Sequence, residues 1–210
     1  MLPLHSYLLF VGATIVLVIM PGPDMAYMLA RCIAQGRRAG VLAAVGFHLG
    51  GYVHLTAAVL GLSAILATSS VAFSVVKWLG AAYLVYLGIG ALRSKQGPLG
   101  ISANGLANRN DRTILWQAFL SDVLNPKVAM FFLALLPQFV DTTGSHPTLQ
   151  ILVLGVTVNM IALPINILLV YFSARLTAAL RTSPAISGRL QKAMGAFFVA
   201  LGLRLAFERT

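Results

Sequence analysis

Two charged residues stand beside helix breaks inside membrane-length apolar segments. Asp24 closes the sequence Pro21-Gly22-Pro23-Asp24, and Lys127 closes Asn125-Pro126-Lys127. A proline in a helix interior removes a hydrogen bond and clashes with the preceding turn, at a cost of roughly 3 kcal/mol or more. Hydrocarbon supplies no water to repair the freed backbone groups, so broken helices persist there only against protein or a water-lined cavity. Asn125 is a favoured N-cap and Pro126 suits the first helical position, and Pro23 with Asp24 does the same for the first segment. Each break thus starts a half-helix whose free N–H groups and dipole suit a carboxylate. A zwitterionic amino acid matches this set, with its carboxylate on the half-helix amides and Lys127 and its ammonium on Asp24. Pro21, Gly22, Pro23, Asp24, Asn125, Pro126 and Lys127 are therefore the candidate substrate-binding residues. A second reading stays open, in which Asp24 and Lys127 form a buried ion pair that locks the two segments together.

Asp122 sits in the last turn before the second break, at the end of a half-helix whose dipole is unfavourable to negative charge. It is a candidate for carrying a coupled proton, as is Asp24. The competing reading leaves Asp122 solvated in a cytoplasmic vestibule. His48 and His54 are too far out of phase on a helix to make a metal pair. Each reads as a satisfied histidine facing the bundle, with His48 kept as a secondary cavity candidate. Asn159 and Asn166 share one helix face, with Pro164 between them, and either line a cavity or join helices by hydrogen bonds. Gly46, Gly50 and Gly51 suggest close packing of the second segment on a neighbour. Cys32 reads as a small apolar filler, Tyr83 and Tyr86 as packing or lipid-facing aromatics, and His5 and His146 as exposed. No metal site and no cofactor are expected.

The elements that must position these residues are set by composition. Of 210 residues, 59% are hydrophobic and 10% charged, with a mean hydropathy of +0.87. That balance belongs to a membrane protein rather than a soluble domain. Six apolar stretches, about 5–30, 40–67, 71–92, 114–139, 148–173 and 190–207, each approach or exceed the ~20 residues that cross a bilayer as a helix. The stretch at 8–20 resembles the core of a signal peptide, but no Lys or Arg precedes it and no small-residue cleavage site follows. It reads as half of a retained span.

The net charge of +10 does not form a nucleic-acid patch; the basic residues alternate by loop. Arg31, Arg37 and Arg38 follow the first span, Arg93, Lys95, Arg109 and Arg112 the third, and Arg175, Arg181 and Arg189 the fifth. The loops at 68–70 and 141–147 carry no Lys or Arg. The positive-inside rule then puts three loops in the cytoplasm and both termini outside, with Arg204 and Arg209 running against it.

Sliding the chain by 103 residues lays Pro23 on Pro126, Ala26 on Ala129 and Gln35 on Gln138. With three spans per half, the second half crosses in the opposite sense. The expected fold is an all-α membrane protein of six transmembrane helices in two inverted-topology repeats. Helices 1 and 4 are broken, at Pro21-Gly22-Pro23 and Asn125-Pro126-Lys127. Residues 1–210 make one transporter domain, with repeat 1 at about 1–92, a flexible linker at about 93–113 and repeat 2 at about 114–210. Such repeats are common in secondary transporters, with the site at their interface.

Pro21-Gly22-Pro23-Asp24, Gly36-Arg37-Arg38-Ala39-Gly40, Gly46 and Gly50 resemble the N-terminal signature of the LysE/RhtB family of amino-acid exporters. Lys77-Trp78-Leu79-Gly80-Ala81-Ala82-Tyr83-Leu84 with Tyr86-Leu87-Gly88 is similar to its third span. Asn125-Pro126-Lys127 and Leu136-Pro137-Gln138-Phe139 are similar to its fourth. One departure is Asp122, where the family often has an uncharged residue such as Asn. The resemblance implies a secondary active exporter of amino acids or their derivatives, in a bacterial inner membrane, driven by protons through alternating access. The partners are then an amino-acid-like solute, protons and the bilayer, with room for a homo-oligomer and none for nucleic acid. The alternative is a cation or metal efflux transporter of similar fold. An enzyme is not expected, since the chain lacks a zincin-type His pair, a Gly-x-Ser-x-Gly elbow and a second cysteine.

Overall fold

The computed structural model describes residues 3–20, 22–68, 70–93, 109–141, 146–173 and 184–207, and these are helical with short connections and no strand. Pro21, the linker from 94 to 108, residues 142–145, and Arg175 and Arg181 lie outside the described residues.

The first apolar segment forms α1 (Leu4–Ile19) and α2 (Pro23–Gln35), bent by 51° at the break. Gly36, at φ 86°, terminates α2 in the left-handed region that glycine alone enters freely, and its N–H bonds the Cys32 carbonyl. Then come α3 (Arg37–Thr68) and α4 (Ser70–Arg93). The fourth segment forms α5 (Asp111–Val123) and α6 (Pro126–Met130), bent by 45°. Beyond α6 the chain runs on through a π-helical turn, Phe131–Leu135, and a 3-10 turn, Leu136–Phe139. Pro137, which has no N–H for the ladder, lies in the 3-10 turn. The last two helices are α7 (Pro147–Tyr171) and α8 (Pro184–Phe207).

Among the described residues, Arg37–Leu62 and Pro147–Tyr171 are each long and apolar enough to cross a membrane, and the two bent pairs bring the number to four. The expected third and sixth spans fall on α4 and α8, which pack against each other. Gly88 and Gly195 make that contact close: a Cβ at either would lie under 3 Å from the other's carbonyl oxygen.

Elsewhere α3 lies at the centre, against α2, α5 and α7, while α1 packs on α7. The largest core joins Phe10, Leu62, Phe131, Leu135, Ile151 and Phe198. A second joins Met28, Ala43, Phe47, Ile114, Ala118 and Val170. The outside is just as apolar: Leu60, Trp78, Tyr86, Trp116 and Leu168 are all more than half exposed. A surface of that kind is suited to lipid.

Candidate functional site at the two helix breaks

Local sequence makes the second break. Asn125 caps α6, its Oδ1 accepting from the Lys127 backbone N–H at 3.0 Å, and Pro126 follows in the first turn. At the first break Gly22 is extended (φ −161°, ψ −177°), and Pro23 and Asp24 open α2.

Tertiary packing then joins the two breaks. The Asn125 amide donates to both Asp24 oxygens, at 2.6 and 2.5 Å. Lys127 Nζ lies 3.9 Å from Asp24 Oδ2. The same ammonium donates to the carbonyls of Leu17 and Met20, at 3.5 and 3.3 Å. Those are orphan acceptors at the negative end of α1, where a cation is favoured. Gly22 leaves room for the approach, since a Cβ there would sit 3.2 Å from Lys127 Nζ. In this conformation Lys127 serves the end of α1 and Asp24 serves Asn125.

Leu17 and Met20 at the end of α1 border a cavity of about 70 Å³, which Gly22 and Asn125 do not line. Asp24, Lys127, Asp122, His48, Asn159 and Asn166 all line it. Asp122 is 5% exposed, so the vestibule reading is replaced by burial. Its Oδ2 has no hydrogen-bond partner. Its backbone carbonyl accepts from His54 Nε2 at 2.9 Å, so that histidine is satisfied at the break, as expected. His48 stands where the cavity candidate was expected, but it is not the satisfied histidine of the sequence reading. It lines the cavity, its buried Nδ1 has no partner, and its ring meets Tyr52 edge-on.

The glycines act as anticipated. A Cβ at Gly46 would lie 2.5 Å from the Leu115 carbonyl oxygen, and one at Gly50 would lie 2.7 Å from Asp122 Oδ2. Gly51 abuts Asn159, whose amide also donates to the Gly155 carbonyl at 3.3 Å. Cys32 is buried against Val170 and Ser173, and His5 and His146 are exposed.

Two features were not anticipated. The cavity's apolar wall comes from Phe47, Phe132, Val158 and Leu163, which helical periodicity could not tell from ordinary core. Arg31 is also not a loop residue; it is 5% exposed on α2. Its Nη1 donates to Gln35 at 2.9 Å, its Nη2 reaches Gln117 of α5 at 3.5 Å, and its guanidinium lies over the Tyr27 ring. Tyr27 also donates to Gln117 Oε1, at 3.1 Å. The four-residue spacing of Tyr27, Arg31 and Gln35 on one helix face was the available signal.

Comparison with known proteins shows the family. The chain is 32% identical over 203 residues to an uncharacterized membrane protein of Vibrio cholerae, covering 97% of each. It is 30% identical over 203 residues to a leucine efflux protein of Enterobacter sp. strain 638, covering 97% of this chain and 95% of that one. A leucine efflux protein of Klebsiella pneumoniae is 27% identical over 205 residues, 96% and 94% of the two chains. No solved structure matches. The family model for LysE type translocators matches residues 15–209. With nearly the whole sequence matched, the chain belongs to the LysE type translocator family: it is a membrane transport protein and not an enzyme.

Proposed function

We propose that this chain exports amino acids from the bacterial cytoplasm across the inner membrane, in exchange for protons and by alternating access. The observation that carries this reading is the cavity, which touches both breaks and brings Asp24, Lys127 and Asp122 to one small volume. Groups of both signs at a membrane-depth site match a zwitterion better than an ion of one sign. The apolar wall of Phe47, Phe132, Val158 and Leu163 suits a branched apolar side chain. Relatives named leucine efflux proteins support the same class.

The inverted repeat has support in the packing. Both α2 and α6 open with proline after a bend of similar size. The contact of α3 with α5 has its counterpart in that of α7 with α1, and α4 meets α8. Both termini outside and three basic loops inside complete the topology. A cavity of about 70 Å³ holds roughly five waters at ~10–15 Å³ each, so leucine requires it to widen. Separation of the Asp24–Lys127 pair as the two halves rock apart supplies that change. The cation-exporter alternative gains no observation of its own.

Leucine efflux from proteoliposomes, with and without an imposed pH gradient, tests the reading in the wild type beside Asp24→Asn and Lys127→Met. Gradient-driven efflux in the wild type, lost in both folded variants, is the expected result. Absence of efflux for every amino acid would sink the export reading, and normal efflux in both variants would return the pair to a purely structural role.

A further inference from the structure

The cavity holds two carboxylates, and the structure treats them differently. Both Asp24 oxygens accept from the Asn125 amide, and Lys127 stands 3.9 Å away. Asp122 is 5% exposed and its Oδ2 meets no donor. A buried carboxylate oxygen without a partner requires a proton or a cationic ligand to meet it. Gly50 holds that oxygen at close range: any side chain there would collide with it.

We propose that Asp122, rather than Asp24, receives the substrate's ammonium group, and that the same carboxylate carries the coupled proton when substrate is absent. The proposal rests on the export reading above and gives it a coupling device. Asp24 then acts as the positioning residue that holds Asn125 and Lys127 across the breaks. Lys127, on the same cavity, is left to meet the substrate carboxylate. A divalent ion finds less at this position, since no group of three His, Cys, Asp or Glu comes together among the described residues.

The exchange balances atom by atom. As the zwitterion enters, the Asp122 O–H bond breaks, its proton passes to cytoplasmic water, and N–H···O bonds from the ammonium replace it. On the outside the ammonium leaves and an external proton takes its place. One carboxylate cannot hold both, so substrate export and proton entry are obligatorily linked. Each cycle moves a neutral zwitterion out and one proton in, and therefore one positive charge inward.

Other titratable groups face the same volume and define the controls. His48 and His54 reach it or its backbone from α3, Asp24 from α2 and Lys127 from α6. From α7 the polar cavity residues are Asn159 and Asn166, which do not titrate.

The test uses the purified full-length protein with leucine as probe. Binding is measured by calorimetry across pH and in buffers of different ionisation enthalpy, for wild type, Asp122→Asn and His48→Gln. The wild type is expected to release close to one proton per leucine bound in the acid range, its affinity falling about tenfold for each unit by which the pH is lowered there. His48→Gln is expected to keep that release. Asp122→Asn is expected to lose it, with affinity that is weaker and flat with pH. Proton release persisting in Asp122→Asn, or lost in His48→Gln, would assign the proton elsewhere and overturn the proposal. So would pH-independent leucine binding by the wild type, a result that needs no variant to fold. In either case the export reading would stand. Failure of the wild type to bind leucine or any other amino acid would overturn both.

Discussion

Lys127 and Asp24 lie on half-helices that begin at separate breaks, yet their charged groups are 3.9 Å apart, and Asn125 bridges them by donating to Asp24. The pair is mostly buried, with side-chain exposures of 14% and 17%. It is thus costly to break and geometrically able to open into the cavity.

Removing one partner of a buried pair leaves the other uncompensated, a loss of typically 3–5 kcal/mol. Lys127→Met is expected to lower the melting temperature markedly. The double variant Asp24→Asn/Lys127→Met should recover much of that stability without recovering transport. Melting curves for the single and double variants, read beside efflux, separate the two effects. A double variant as unstable as Lys127→Met would show that the charges do not act as a pair.

Asn125 combines a cap and a bridge, and substitutions can divide these roles. Asn125→Asp keeps a capping oxygen for the Lys127 N–H but sets a carboxylate against Asp24. Asn125→Ala loses both functions, for about 1–3 kcal/mol. Transport is expected to fail in both, with Asn125→Asp partly rescued by Asp24→Asn. Absence of any rescue would disconnect Asn125 from Asp24 in function.

The glycines of α3 divide by what faces them. Gly46→Ala and Gly50→Ala drive a methyl into the Leu115 carbonyl or Asp122, and overpacking of this kind costs roughly 1–3 kcal/mol. Gly61 faces nothing within 4 Å, so Gly61→Ala should be neutral or stabilise the helix by up to about 1 kcal/mol. Thermal unfolding of the three variants gives the order directly.

The Tyr27–Arg31–Gln117 contacts tie α2 to α5, and Arg31 stands next in sequence to Cys32, the chain's single cysteine. Cys32 is buried, so its alkylation rate reports opening at that end of the bundle. Arg31→Met removes charge-assisted bonds worth about 1.5–3 kcal/mol, and is expected to speed labelling by about tenfold or more. An unchanged rate would mean that these contacts do not hold the helices together.

The breaks, the caps and the apolar lengths follow from residue types alone. Proline and asparagine act within a turn of where they stand, so Pro23 and Asn125-Pro126 were legible one residue at a time, whereas the end of α2 at Gln35 and the start of α8 at Pro184 were not. Shared helix faces were legible too, which is why Asn159, Asn166 and the α3 glycines fell where expected. Which of these groups meet was settled by packing. Asp24 finds Asn125 across 101 residues, and Lys127 turns to the carbonyl end of α1. Asp122 is sealed from solvent by α3, and Arg31 is drawn from the supposed loop into a buried contact. Such pairings depend on how bent helices cross, a property of several elements at once that no local rule contains. The sequence placed the charges at the breaks, and packing selected which of them is left without a partner in the cavity.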